Sequence, residues 1–84
     1  MQEKEIGKIT HYYGHIGVGI IDLSDALALG DTIHVKGYSS DFTQSVDSMQ
    51  VEHANVSSAK PGDIVGLKIA QKAHPNDKVF KVIA

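Results

Sequence analysis

The sequence predicts a small all-β domain closed into a six-stranded barrel of Greek-key type. Short runs rich in Val, Ile, Thr and Tyr are separated by Gly, Asp, Asn and Pro. Apolar residues alternate with period two and are never sustained at helical spacing over three turns. Three turn signatures, Gly30-Asp31, Pro61-Gly62-Asp63 and Pro75-Asn76-Asp77, each deliver the chain into a strand. With connections this short and no helix to cover a sheet face, closure is the arrangement that removes exposed edges.

The first hairpin is read from residues 4–13 and 16–23, joined at Gly14-His15, where a glycine can take the positive φ of a tight turn. In its second strand Val18 and Ile20 share one face while Ile21 and Leu23 share the other, so a bulge near Ile20 is expected to bury both pairs. The clearest alternation is Thr32 to Lys36, with Ile33 and Val35 inward and Thr32, His34 and Lys36 outward. A strand over residues 42–52 needs a bend between Val46 and Met49 to keep both in phase. Val65, Leu67 and Ile69 alternate around Gly66 and Lys68 in a further strand over residues 64–71. Helical turns fit only at residues 23–29 and 56–60, and no internal repeat is evident.

The 84 residues supply one core, so a single domain over residues 1–84 is expected, without room for a nucleotide-binding domain. Lack of cysteine excludes disulfide staples, Cys-ligated zinc and a thiol nucleophile. The charged start and the absence of a long apolar run predict a cytoplasmic protein without a membrane partner. Eight basic against ten acidic residues give a net charge of −2, so any contact with RNA phosphates must be local.

The run Val46-Asp47-Ser48-Met49-Gln50-Val51-Glu52-His53, then Val56-Ser57-Ser58-Ala59-Lys60-Pro61-Gly62-Asp63-Ile64-Val65-Gly66-Leu67, resembles the second domain of elongation factors of the Tu and one-alpha type. Upstream, Gly7 before Ile9, Ile16-Gly17-Val18 and Leu29-Gly30-Asp31-Thr32-Ile33-His34-Val35 keep the same register. The resemblance implies a translation-factor domain 2-like barrel. It extends to the C-terminal extension of the collagenase-like peptidase family, some of whose members act on RNA. Gly30, Asp31, Pro61, Gly62, Asp63 and Gly66 are the matching residues that shape turns and fold. Gln50 and Ile64 depart from the glutamate and asparagine that the elongation-factor pattern places near the charged tRNA end, and isoleucine offers no hydrogen-bonding group.

No constellation points to catalysis, a cofactor or a metal. Gly14, Gly17 and Gly19 fit neither a dinucleotide nor a P-loop pattern, and Gly62 to Lys68 falls short of a P-loop, so no nucleotide is expected. Ser24-Asp25, Ser39-Ser40-Asp41 and Ser57-Ser58 read as turn chemistry. His11 and His15 share a face only on a helix, which argues against zinc. Glu3, Lys4, Glu5, Lys78 and Lys81 read as solvated edge charge. The candidate binding surface joins His11, Tyr12, Tyr13, His34, Lys36 and Gln50, for RNA or an RNA-associated protein. Adjacent strand residues face opposite ways, so one of Tyr12 and Tyr13 packs inward. The alternative is a protein-docking accessory domain of a larger protein, GTPase-like or peptidase-like, with no RNA contact.

Because Gly62 is read as the positive-φ position of its turn, Gly62→Val is expected to destabilise the fold by about 1 to 3 kcal/mol. An unchanged melting temperature would remove the turn assignment.

Overall fold

The computed structural model describes residues 2–83 and is all-β throughout them. Its strands are β1 (Gln2–Tyr13), β2 (Val18–Leu23), β3 (Leu27–Ala28), β4 (Thr32–Lys36), β5 (Asp41–Ser45), β6 (Met49–Val51), β7 (Ala54–Asn55), β8 (Ser58–Ala59), β9 (Ile64–Lys68) and β10 (Lys78–Ile83). Eight form one antiparallel sheet in the order β5-β4-β10-β1-β2-β9-β6-β7, and β3 pairs with β8 in a second. The stretches read as helical turns thus contain these two short strands, which satisfy each other's backbone.

Alternation places the core as expected in β4 and β9. Ile33, Val35, Val65 and Leu67 are buried between outward neighbours. They join Ile6, Ile9, Ile21, Leu23, Val46, Met49 and Val79 in one cluster. Each such side chain removed from water contributes roughly 1.5 to 3 kcal/mol.

The expected closed six-stranded barrel is corrected to ten strands in two sheets, with β5 and β7 as unpaired edges of the larger sheet among the described residues. The bend after Val46 explains the difference. Residues 42–52 are divided between β5, which stays on β4, and β6, which crosses to β9. Between β5 and the chain leaving β9, a side chain does what a ladder would do. Gln44 Nε2 donates to the carbonyl of Lys68 at 2.7 Å, and Gln44 Oε1 accepts from the amide of Ala70 at 2.7 Å.

The three turn signatures share one construction. The carboxylates of Asp31, Asp63 and Asp77 accept from the backbone amides of Ala28, Lys60 and His74 at 2.9, 3.0 and 2.9 Å. The amide of each aspartate donates back to the same residue's carbonyl at 3.0 to 3.1 Å. Gly30, Gly62 and Asn76, the third residue of each turn, have φ of 90°, 92° and 74°. Their amides donate to the carbonyls of Val46, Leu23 and Ile9, whose own amides donate to the aspartate carbonyls, at 2.6 to 3.0 Å. A repeat not evident in the sequence therefore exists in the hydrogen bonding.

Several finer expectations change. In the first hairpin the positive φ falls on Gly17, at 65°, and not on Gly14. The bulge lies in β1, where the register with β2 shifts between Ile9 and His11, opposite Ile21 and Ile20. As a result β2 keeps strict alternation, with Ile21 and Leu23 buried and Val18 and Ile20 on the outer face. Gly66 shapes no turn; it sits in the middle of β9. The terminal strands β1 and β10 are interior to the sheet, so their charges are not edge charges. Lys4 pairs with Asp25 at 2.5 Å, Lys78 with Glu5 at 3.8 Å and Lys81 with Asp31 at 3.9 Å.

If Gln44 joins the two sides of the sheet, Gln44→Ala should cost about 1 to 2 kcal/mol for two lost hydrogen bonds. Gln44→Glu should cost no less, because its carboxylate faces the Lys68 carbonyl. Thermal unfolding of both variants tests this, and a wild-type midpoint for either would refute it.

Candidate functional site

The outer face of β2 and β9 forms the floor of an apolar groove. Antiparallel partners point to the same side of a sheet, so the pairs Val18↔Lys68, Ile20↔Gly66 and Asp22↔Ile64 map this face row by row. Gln50 of β6 lies across from Gly66, and His11 and Tyr13 of β1 lie across from Ile20 and Val18. At the centre Gly66 contributes no side chain. A Cβ there would lie 3.4 Å from Ile20 Cδ1 and 3.7 Å from Val18 Cγ1, so the position tolerates a side chain but leaves a depression without one. The groove has a volume of about 350 Å³.

Its rim is apolar and exposed. Tyr13, Ile16 and Ile64 are 49%, 61% and 58% accessible, which concentrates three of the large exposed apolar side chains around one depression. Such concentration is unusual for a surface that meets only water. No lysine, arginine, serine, threonine or cysteine lines the groove; its polar groups are Gln50, Glu52, His53 and the Tyr13 hydroxyl.

The far wall is a two-residue hairpin loop. Val51 pairs with Ala54, and between them Glu52 and His53 have φ of 52° and 66°. Two successive positive φ values define a type I′ turn, for which Asn-Gly is the relaxed choice. Non-glycine residues in this region cost about 1 to 2 kcal/mol each. The turn thus places a carboxylate and an imidazole at the groove wall at the cost of local strain.

Of the candidate residues read from the sequence, Tyr13 and Gln50 line this groove, and His11 adjoins it, its ring stacked on Tyr13 at 6.1 Å with 5° between planes. Tyr12 faces the other way and packs against the core. His34 and Lys36 belong elsewhere. Their strand β4 is separated from β1 by β10, and His34 lies level with Phe80 and so with Glu5. His11 is six residues further along β1, about 20 Å at strand spacing. The single surface expected from the sequence is therefore two separate regions. Val18, Ile20, Glu52 and His53 were not among the sequence candidates, Gly66 was read as a turn residue, and Ile64 was read only as a departure from the elongation-factor pattern. The signal for Val18 and Ile20 was that β2 is apolar on both faces.

His34 is not simply solvated beside Lys36. Nδ1 lies 2.8 Å from Glu3 Oε2 and Nε2 lies 2.5 Å from Asp41 Oδ1, with the imidazole side chain only 15% accessible. Both nitrogens face carboxylates, an arrangement that favours the doubly protonated imidazolium. The hydrogen bond to Asp41 raises the His34 pKa above its ordinary 6.5, opposed by desolvation and aided by Glu3. The same bond lowers the Asp41 pKa below 3.8.

A Ser-His-Asp set exists but has the wrong geometry for a triad. Ser40 Oγ is 3.1 Å and Asp77 Oδ2 is 3.8 Å from the same nitrogen, Nδ1 of His74. A triad needs the nucleophile and the carboxylate on opposite ring nitrogens. Among the described residues no cluster of three potential metal ligands occurs, and no helix is long and apolar enough to cross a membrane.

The chain matches no family model. It is 35% identical over 77 residues to an uncharacterized protease of Methanocaldococcus jannaschii, covering 90% of this chain and 19% of that protein. To the collagenase of Porphyromonas gingivalis it is 27% identical over 82 residues, 95% of this chain and 23% of that one. The chain thus spans about a fifth of the length of these curated relatives. In fold it is similar to the C-terminal domain of a Geobacillus thermoleovorans protein assigned as a U32 peptidase, with a TM-score of 0.89, 20% identity and coverage of 95% and 93% of the two chains. A selenomethionine form of that domain gives a TM-score of 0.86, again at 20% identity, with coverage of 90% and 96%. These proteins match the peptidase side of the resemblance; its elongation-factor side finds no support in them.

A pH dependence follows from His34. Its pKa is raised on folding, so its contribution is complete below 6.5 and lost as pH rises through the higher folded value. Asp41 is lowered on folding, so its contribution is present above 3.8 and lost as pH falls through the lower folded value. The pair therefore stabilises most between the two ordinary values. Melting scans of wild type and His34→Asn from pH 5 to 8.5 should converge as the pH rises. A gap independent of pH would show that the imidazolium is not the stabilising form.

Proposed function

We propose that this chain is a non-catalytic docking module of a peptidase-like protein, and that its outer groove seats an apolar segment of that protein, in the same polypeptide or another. The carrying observation is the floor of Val18, Ile20 and Gly66 rimmed by exposed Tyr13, Ile16 and Ile64. An exposed apolar concavity of this kind is stabilised when a partner removes it from water. The relatives support a peptidase context, since each carries a stretch similar to this chain within a protein about four to five times longer. The absence of a serine, threonine or cysteine from the lining supports a binding role and not a nucleophilic one.

Gln50 and Ile64, the two departures from the elongation-factor pattern, both line the groove. The stacked His11 and Tyr13 rings favour a second reading, RNA or an RNA-associated protein, since bases stack on such planes. The lack of lysine and arginine in the lining weighs against it, because phosphate contacts supply most of nucleic-acid affinity.

The test is affinity capture from nuclease-treated native lysate with the tagged chain, alongside the double variant Gly66→Val, Ile64→Asp. A peptidase-like protein should be recovered with wild type and fall at least about tenfold with the variant, the range expected for a central contact. Equal recovery would overturn the reading, as would RNA recovered without nuclease and no protein recovered with it.

A further inference from the structure

The polar groups of the groove define the chemistry of its occupant. Gln50 Nε2 donates to Asn55 Oδ1 at 3.0 Å, which turns the amide so that Oε1 is left as an acceptor. Glu52 is the one acidic side chain in the lining, where its neighbour is the His53 imidazole and no lysine or arginine is present. It follows Val51, which pairs with Val65, so Glu52 stands level with Ile64 at one end of the groove. At that end Asp22 lies opposite Ile64, itself opposite Lys8 on its other side. At the other end Lys68 lies opposite Val18. The lining therefore offers acceptors, with the Glu52 carboxylate toward Ile64, where Asp22 and Lys8 stand opposite each other, and with Lys68 outside the lining beyond Val18.

We propose that the groove binds an extended peptide segment by an aliphatic or aromatic side chain placed over Gly66 and an adjacent lysine or arginine paired with Glu52. This rests on the docking reading above and adds the sequence chemistry of the segment. The apolar side chain fills the depression left by the missing Cβ and meets Ile20, Val18, Tyr13 and Ile64. The cation lies toward Glu52 and away from Lys68, which sets the direction of the segment. A backbone amide of the occupant donates to Gln50 Oε1. The strained Glu52-His53 turn fits this role, since a relaxed Asn-Gly loop would hold the strands as well but would present no carboxylate.

The experiment titrates the ¹⁵N-labelled chain with N-acetylated, C-amidated tetrapeptides Gly-Leu-Lys-Gly, Gly-Leu-Glu-Gly and Gly-Gly-Lys-Gly, following amide shifts by NMR. Gly-Leu-Lys-Gly should give saturable shifts at Ile20, Ile64, Gly66 and Gln50 to His53. It should bind about threefold more tightly than Gly-Leu-Glu-Gly, as expected for a partly exposed ion pair, and more tightly still than Gly-Gly-Lys-Gly. Glu52→Gln should erase the preference for lysine over glutamate and keep the preference for leucine. Gly66→Val should lose leucine-dependent binding while retaining a dispersed, folded spectrum. Equal binding of the lysine and glutamate peptides would overturn the charge assignment and leave the docking reading standing. Absence of binding by all three, or shifts confined to another face, would overturn both.

Discussion

Three aspartate carboxylates, each closing a four-residue turn onto the amide three residues back, set where three central strands of this domain begin. Asp31, Asp63 and Asp77 introduce β4, β9 and β10, and each turn also exchanges two backbone hydrogen bonds with a buried residue of another segment. Those residues, Val46, Leu23 and Ile9, are nearly inaccessible to solvent. A turn that would otherwise be local is thereby tied to the core, and the register of the following strand is tied with it. The positive φ at Gly30, Gly62 and Asn76 permits the geometry, and asparagine serves where glycine is absent because its side chain tolerates the left-handed region. Asp77 is itself buried, with Gly37 beside it: a Cβ on Gly37 would overlap the Asp77 carboxylate.

The groove depends on this frame. The turn at residues 60–63 aims β9 beside β2, and that pairing brings Gly66 opposite Ile20. One face of β2 then belongs to the core, while the other retains two aliphatic side chains with no layer over them. Most of the domain resolves its surplus apolar surface inward. Here the surplus stays outside, beside a turn whose two residues occupy a backbone region that costs free energy. Neither exposed apolar surface nor local strain stabilises the isolated domain, and the proposed docking role accounts for their occurring at the same place.

On the opposite flank the electrostatics serve cohesion. His34 sits between Glu3 and Asp41 and so links β4 to β5 and to the start of β1, across the intervening β10. The Ser40, His74 and Asp77 contacts likewise tie the β4 to β5 connection to the turn before β10. A histidine and a serine that in isolation resemble catalytic parts are accounted for by these structural bonds.

The fold class was legible in the residues because period-two alternation and Gly-Asp or Asn-Asp turns are local properties. Thr32 to Lys36 and Ile64 to Lys68 show in sequence the faces they present in the structure. Even the conflict between Val46 and Met49 was visible, as was that within β2. How each conflict is resolved was not, because it depends on which strand becomes the neighbour. Residues 42–52 divide between two partners, and the bulge that relieves β2 sits in β1, so Val18 and Ile20 remain outside. The sequence by itself determined an all-β chain with its turns and most of its core, since those follow from side-chain type and spacing. Tertiary structure alone decided that Tyr13, Ile20, Ile64, Gly66 and Glu52 meet in one groove while His34 and Lys36 lie apart from it, because strand order and register carry residues distant in sequence to the same face.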